Sequence, residues 1–154
     1  MDKLKTIKQT IGIFPNALSS DICEELIAKF EKFYRLDKTS IGHTLGGIDK
    51  SVKDTQDLDL LHKDILDGDK DVSFYNTLIS KVSNDLVVKH LKSFGDESKW
   101  DPLEIFQDGS RYDSWLLQRY RKNTGHYDAW HTEQPYRLPN CHRLMVCMFY
   151  LNDV

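Results

Sequence analysis

Little in this chain is extreme, and each shortage removes a class of protein. Only 4 prolines and 8 glycines stand among 154 residues, which excludes collagen-like and proline-rich architectures. The longest uninterrupted apolar run, Leu144 to Phe149, is far shorter than the ~20 residues that a membrane-crossing helix needs. The opening MDKLKTIKQT carries charge with no apolar stretch behind it, so no secretory signal is expected. Cys23, Cys141 and Cys147 show no metal-ligand spacing, and their odd number suits reduced thiols in a cytoplasm. Neither sign of charge dominates: 21 basic residues face 24 acidic ones, for a net charge of −3. No basic stripe for nucleic acid and no acidic, disordered tail is present. Internal repeats and low-complexity tracts are missing too. What remains is the composition of one compact domain, long enough to bury a core.

Two helices stand out. Residues 6–14 alternate weakly and predict a short strand into Pro15. The segment ALSSDICEELIAKFEKFY follows, with Ser19 or Ser20 as cap and Asp21, Glu24 and Glu25 at its positive end. Ile22, Leu26, Ile27, Phe30 and Phe33 recur at helical spacing and form its apolar face. A second helix is predicted over 71–94, with Phe74, Leu78, Ile79, Val82, Leu86, Val87, Leu91 and Phe94 on one face and Gly95 beyond its end. Between them, Lys38 to Asp71 reads as a polar loop broken by Gly42, Gly46, Gly47 and Gly68, with a helical turn over 58–65. After a polar turn at 96–102 the pattern becomes β-like. The expected class is α+β.

The segment WLLQRYRKNTGHYDAWHTE, from Trp115 to Glu133, concentrates the chemistry. Trp115, Leu116, Leu117 and Tyr120 supply β-prone material, Asn123-Thr124-Gly125 a turn, and Tyr127 and Trp130 a second strand. On a strand His131 and Glu133, two apart, share a face. An imidazole and a carboxylate on one wall are two of the three ligands in a 2-His-1-carboxylate iron(II) site. The same triplet also suits a polar strand face with no metal. Tyr120 fits either a ligand-binding role or a half-buried place in the sheet, and Gln118 shares its face. His126 is expected to be solvated in the turn. Cys147, alternating with Met145, Phe149 and Leu151, reads as strand core.

These elements together resemble the iron(II)- and 2-oxoglutarate-dependent dioxygenases, in their prolyl 4-hydroxylase-like branch. Gln118 and Tyr120, Gly125 and Tyr127, His131-x-Glu133 and the strand RLMVCMFYLNDV from Arg143 follow one another as they do there, with Glu133 where Asp is usual. The likeness runs from Trp115 to Val154 and is looser before. It implies helices packed on the first half of a double-stranded β-helix (a jelly roll), with 1–105 as helical support and 106–154 as the start of the β-core of a single 1–154 domain. Further implications are iron(II) at His131 and Glu133, 2-oxoglutarate held by Tyr120 and Gln118, and ascorbate as an accessory reductant. Lys53, Asp54 and Thr55 are implied to line a substrate entrance. The family's distal His and the basic partner of 2-oxoglutarate lie further along than Val154; His142 comes too early to serve. The resemblance therefore implies the N-terminal portion of a hydroxylase acting on a peptide or small molecule, inactive by itself. Its expected partner is a missing C-terminal segment or a second copy, with no nucleic acid or membrane. The alternatives are a non-catalytic interaction module derived from that fold, and a cupin-like metal protein.

Overall fold

A computed structural model describes residues 5–7, 11–44, 46–60, 62, 65, 69–93, 115–131 and 145–153. The short strand expected over 6–14 is instead a two-stranded antiparallel hairpin, β1 (Lys5–Ile7) against β2 (Ile11–Ile13). Helix α1 (Ser20–Arg35) starts where the cap pattern puts it: the Ser19 hydroxyl accepts from the Ile22 amide at 3.4 Å. Leu26, Phe30 and Phe33 are its buried stripe, Ile22 packs at the margin of the core, and Ile27 is largely exposed.

The polar region after α1 differs from the sequence reading. Rather than a loop, it supplies β3 (Ser40–Ile41) and β4 (Thr55–Asp59), and β4 is the central strand of the sheet β3-β4-β5; of the helical turn expected over 58–65, Leu58 and Asp59 belong to β4 while Ile65 is helical. The third strand, β5 (Leu116–Tyr120), runs antiparallel to β4. Thr55-Gln-Asp-Leu-Asp lacks the apolar alternation that marks a strand, yet Thr55, Asp57 and Leu58 are all buried. Its polar side chains satisfy one another instead of water, and this allows their burial.

Helix α2 (Lys70–Lys92) begins at an Asp69 cap that accepts from the Asp71 amide, and it ends at Ser93; the expected Phe94 and Gly95 lie outside the described residues. Its buried stripe is Val72, Tyr75, Asn76, Ile79, Ser83, Val87 and His90. Phe74, expected inside, is exposed, and Leu78, Val82, Leu86 and Leu91 are only half-buried. The rotation follows from polar partners: Asn76 donates to the Leu60 carbonyl at 2.8 Å, and Ser80 accepts from the Trp115 indole at 3.0 Å. Those bonds turn the helix away from the face with most carbon.

One core joins these parts. Leu26, Phe30 and Phe33 of α1 meet Leu58 and Leu60 at β4 and Val72, Tyr75 and Ile79 of α2, with Leu117, Trp115, Phe149 and Leu151 against them. Burying Leu58, 1% exposed, stabilises by about 1.5–3 kcal/mol. Ionic ties hold α1 to the start of α2: Lys29 and Lys32 reach Asp69 at 2.9 and 2.7 Å, and Tyr75 donates to Glu25 at 2.5 Å. The glutamate raises the Tyr75 phenol to about 12, with burial and the same charge adding to its hydrogen bond. Residues 145–151 alternate as the sequence predicts: 145, 147, 149 and 151 are turned inward, and 146, 148 and 150 outward. They carry no strand assignment. Phe149 lies 6.3 Å from Trp115, and burial pushes the Cys147 thiol up, offset in part by the Ser83 hydroxyl. The architecture is α+β, with helices on one face of an antiparallel sheet.

Candidate functional site

The register of β4 with β5 sorts side chains onto two faces. Leu58 stands opposite Leu117 and Gln56 opposite Arg119, and this face meets the helices. Arg119 reaches Glu31 at 2.8 Å and stacks on Tyr34 and Phe30 of α1, at 3.9 and 5.3 Å from their ring centroids. The other face carries Thr55, Asp57 and Asp59 opposite Tyr120, Gln118 and Leu116. Gln118 and Tyr120 lie on this second face.

Asn123-Thr124-Gly125 does turn, with Asn123 at a φ of 66°. The chain is not reversed there. Tyr120 pairs with Thr55, and Tyr127 pairs with Lys53 further along the same strand. Residues 121–126 are thus an excursion, after which the chain resumes antiparallel to the same partner. Two further backbone bonds clamp the continuation: the Asp54 amide to the His126 carbonyl at 2.9 Å, and the Asp128 amide to the Val52 carbonyl at 3.0 Å. Tyr120 and Tyr127 become neighbours on one face although six residues stand between them. The excursion closes through the Gly125 amide, which donates to the Arg121 carbonyl at 2.8 Å. A Cβ on Gly125 would lie 2.3 Å from the Arg121 nitrogen. Gly125→Ala should therefore cost about 1–3 kcal/mol, as overpacking against rigid backbone does, read as a lowered urea midpoint with an unchanged m-value. A loss under half a kcal/mol would mean that the excursion is free to rearrange.

Beneath the two tyrosines lies a buried ionic network. Lys53 donates to Asp57 Oδ2 at 2.9 Å, Thr55 to Asp57 Oδ1 at 2.7 Å, and Gln118 Nε2 to Asp57 Oδ2 at 3.2 Å. Lys53 is 6% exposed and Asp57 8%. Gly42 makes room for them, since a Cβ there would meet Thr55 Oγ1 at 2.1 Å and Lys53 Cε at 2.8 Å. Asp57 fixes how Gln118 is presented. A carboxylate only accepts, so Gln118 must turn its amino group inward, leaving its carbonyl and second N–H for a ligand. The Tyr120 hydroxyl is held above its ordinary value, first by burial and then by the charges of Asp57, Tyr127 and Tyr150.

His131 lies past the end of the ladder, outside any strand. Among the described residues the expected strand does not extend from the bridge at Tyr127 to His131. Its ring stacks on Tyr127, with centroids 4.5 Å apart and planes 17° from parallel, and its Nδ1 is 2.9 Å from the Ala129 carbonyl. A carbonyl accepts only from N–H, so Nδ1 donates to Ala129; in the neutral ring the lone pair then sits on Nε2, the atom a metal would take. Glu133 lies outside the described residues, as do Cys141, His142 and Arg143. Among the described residues no group of three or more His, Cys, Asp or Glu gathers to hold a metal.

Other candidates separate. His126, expected in solvent, bridges two loops: Nδ1 is 2.9 Å from the Thr124 carbonyl and Nε2 3.2 Å from the Ser51 carbonyl. Both contacts favour N–H, so the imidazolium is preferred and the pKa is raised. Lys53 and Thr55 belong to the buried network and Asp54 to the backbone clamp, so the three are not alike in role. Sequence reasoning missed Asp57, because Asp in a polar stretch reads as surface. Leu116, Tyr120, Val146, Met148 and Tyr150 are exposed, and among the described residues no helix is long and apolar enough to cross a membrane. No family model matches the chain, and neither a curated protein nor a solved structure matches it.

Proposed function

We propose that this chain belongs to an iron(II)- and 2-oxoglutarate-dependent dioxygenase of prolyl 4-hydroxylase-like type. In this reading α1 and α2 back the major sheet of a double-stranded β-helix. The supporting observation is His131, whose neutral ring would carry its proton on Nδ1 towards the Ala129 carbonyl and which stacks on Tyr127, beside the sheet face that carries Tyr120 and Gln118. That tautomer fits a metal ligand, and Glu133 follows at the spacing of the second. When bound, iron(II) would supply activation of oxygen for hydroxylating a substrate C–H bond. The chain's own part is to hold and orient. His131 and Glu133 would hold the ion, and the Tyr120 hydroxyl would donate to a 2-oxoglutarate carboxylate. Gln118 would offer its remaining N–H beside it, and the Asp57 network would keep that amide from turning.

A second reading, an interaction module built on the same fold, is favoured by the exposure of Leu116, Tyr120, Val146, Met148 and Tyr150, since exposed apolar surface is what a contact site uses. One titration separates the two. Cobalt(II), standing in for iron(II), should bind the chain through His131 and Glu133. His131→Ala and Glu133→Gln should each weaken it by at least about tenfold. If both variants bind as the parent does, the dioxygenase reading falls. Self-association in sedimentation without metal binding would then favour the module.

A further inference from the structure

We propose that Tyr127 is a positioning residue for His131, and that the buried Lys53–Asp57 pair anchors this platform to the core strand β4. The proposal rests on His131 being a metal ligand. A ligand must be held to within about 0.5 Å of its working geometry, and His131 has neither a strand nor burial to hold it. Two contacts help to hold it. The Ala129 carbonyl fixes the ring's rotation, and the Tyr127 ring fixes its plane.

Tyr127 is set from below in turn. Its backbone bridges to Lys53, and the Lys53 ammonium lies 5.3 Å from its ring centroid. With an imidazole stacked nearly parallel at 4.5 Å, that side of the ring is filled. The Lys53 ammonium is within reach of the ring quadrupole, which attracts it. Lys53 cannot wander, because Asp57 holds it at 2.9 Å. Asp57 is held by Thr55 and Gln118. Position thus passes from β4 through Lys53 and Tyr127 to His131. Tyr127 touches no reacting atom in this arrangement; what matters is its flat face rather than its hydroxyl.

That distinction makes the test. The full chain and its Tyr127→Phe, Tyr127→Leu and His131→Ala variants are titrated with cobalt(II), following affinity and the visible absorption of the bound ion, with thermal melts alongside. Tyr127→Phe should bind within about twofold of the parent and give the same spectrum. Tyr127→Leu keeps bulk over Lys53 but loses the face. It should bind about 10–100-fold more weakly, the range seen when a ligand's support is removed, with altered bands. Tyr127→Met is the second variant if leucine unfolds the chain, because a flexible thioether fills the space without a plane. Parent-like affinity and spectrum in the leucine or methionine variant would overturn the platform. If His131→Ala also binds as the parent does, the metal reading falls and the platform with it. Weak binding by His131→Ala beside normal binding by Tyr127→Leu would remove the platform alone.

Discussion

Asp57→Ala should destabilise the protein by about 3–5 kcal/mol, the cost of breaking one side of a buried ion pair. The alanine removes the acceptor of three hydrogen bonds at once, from Lys53, Thr55 and Gln118. Most of the loss comes from what stays behind. The Lys53 side chain is 7% exposed, so its ammonium would remain out of water with the Tyr127 ring beside it, which recovers about 2 kcal/mol. Asp57→Asn should cost less, since an amide oxygen can still accept from Thr55. The double variant Lys53→Met/Asp57→Leu should be close to neutral, because well-packed carbon often replaces a buried pair without penalty. Urea unfolding of the four proteins gives the comparison. A loss under about 1 kcal/mol for Asp57→Ala would show that Lys53 escapes to solvent through the open face. The network would then anchor nothing, and Tyr127 would have no fixed support. A near-neutral double variant would carry the opposite lesson: the pair is kept for position, not for stability.

This network is also where sequence reasoning stopped short. The helix Ser20–Arg35 was legible because its cap, its acidic first turn and the Leu26-Phe30-Phe33 stripe agree, and agreement between levels is what a local pattern can report. In Lys70–Lys92 the apolar stripe and the buried stripe differ. Asn76, Ser83 and His90 lie inside while Phe74 lies outside, and the bond from Asn76 to the Leu60 carbonyl involves a segment that no periodicity within the helix can reveal. β4 was hidden for a related reason. Thr55 and Asp57 look solvated until Lys53, Gln118 and Gly42 are placed around them, and Gln118 and Gly42 come from separate parts of the chain. The order Tyr120, Gly125, Tyr127, His131 was readable, but its geometry was not. An excursion that rejoins the same partner strand resembles a hairpin turn in sequence, and only the pairing of Tyr127 with Lys53 distinguishes them.

Acid should weaken the protein through Asp69. Burial alone would raise this carboxyl, but hydrogen bonds from Lys32, Lys29 and the Asp71 amide outweigh it and hold the pKa down at about 2, against an ordinary 3.8. The folded state thus binds the Asp69 proton less readily than the unfolded state. A depressed carboxylate pKa gives stability that is fully present above about pH 4 and is lost as pH falls towards 2. The shift corresponds to about 2 kcal/mol. The side chain is 6% exposed, so solvent screening removes little of it. Asp69→Asn keeps the helix cap and removes the charge. It should cost about 2 kcal/mol at pH 6 and almost nothing at pH 2, so its urea midpoint should converge on that of the parent as acid is added. Asp69→Ala also loses the cap to the Asp71 amide, worth about 1 kcal/mol more, and that part should persist at every pH. Comparing parent with Asp69→Asn cancels the titration of the other carboxylates. A difference between them that stays constant from pH 6 to pH 2 would mean that Lys29 and Lys32 do not hold the charge, and the tie between α1 and α2 would rest on packing alone.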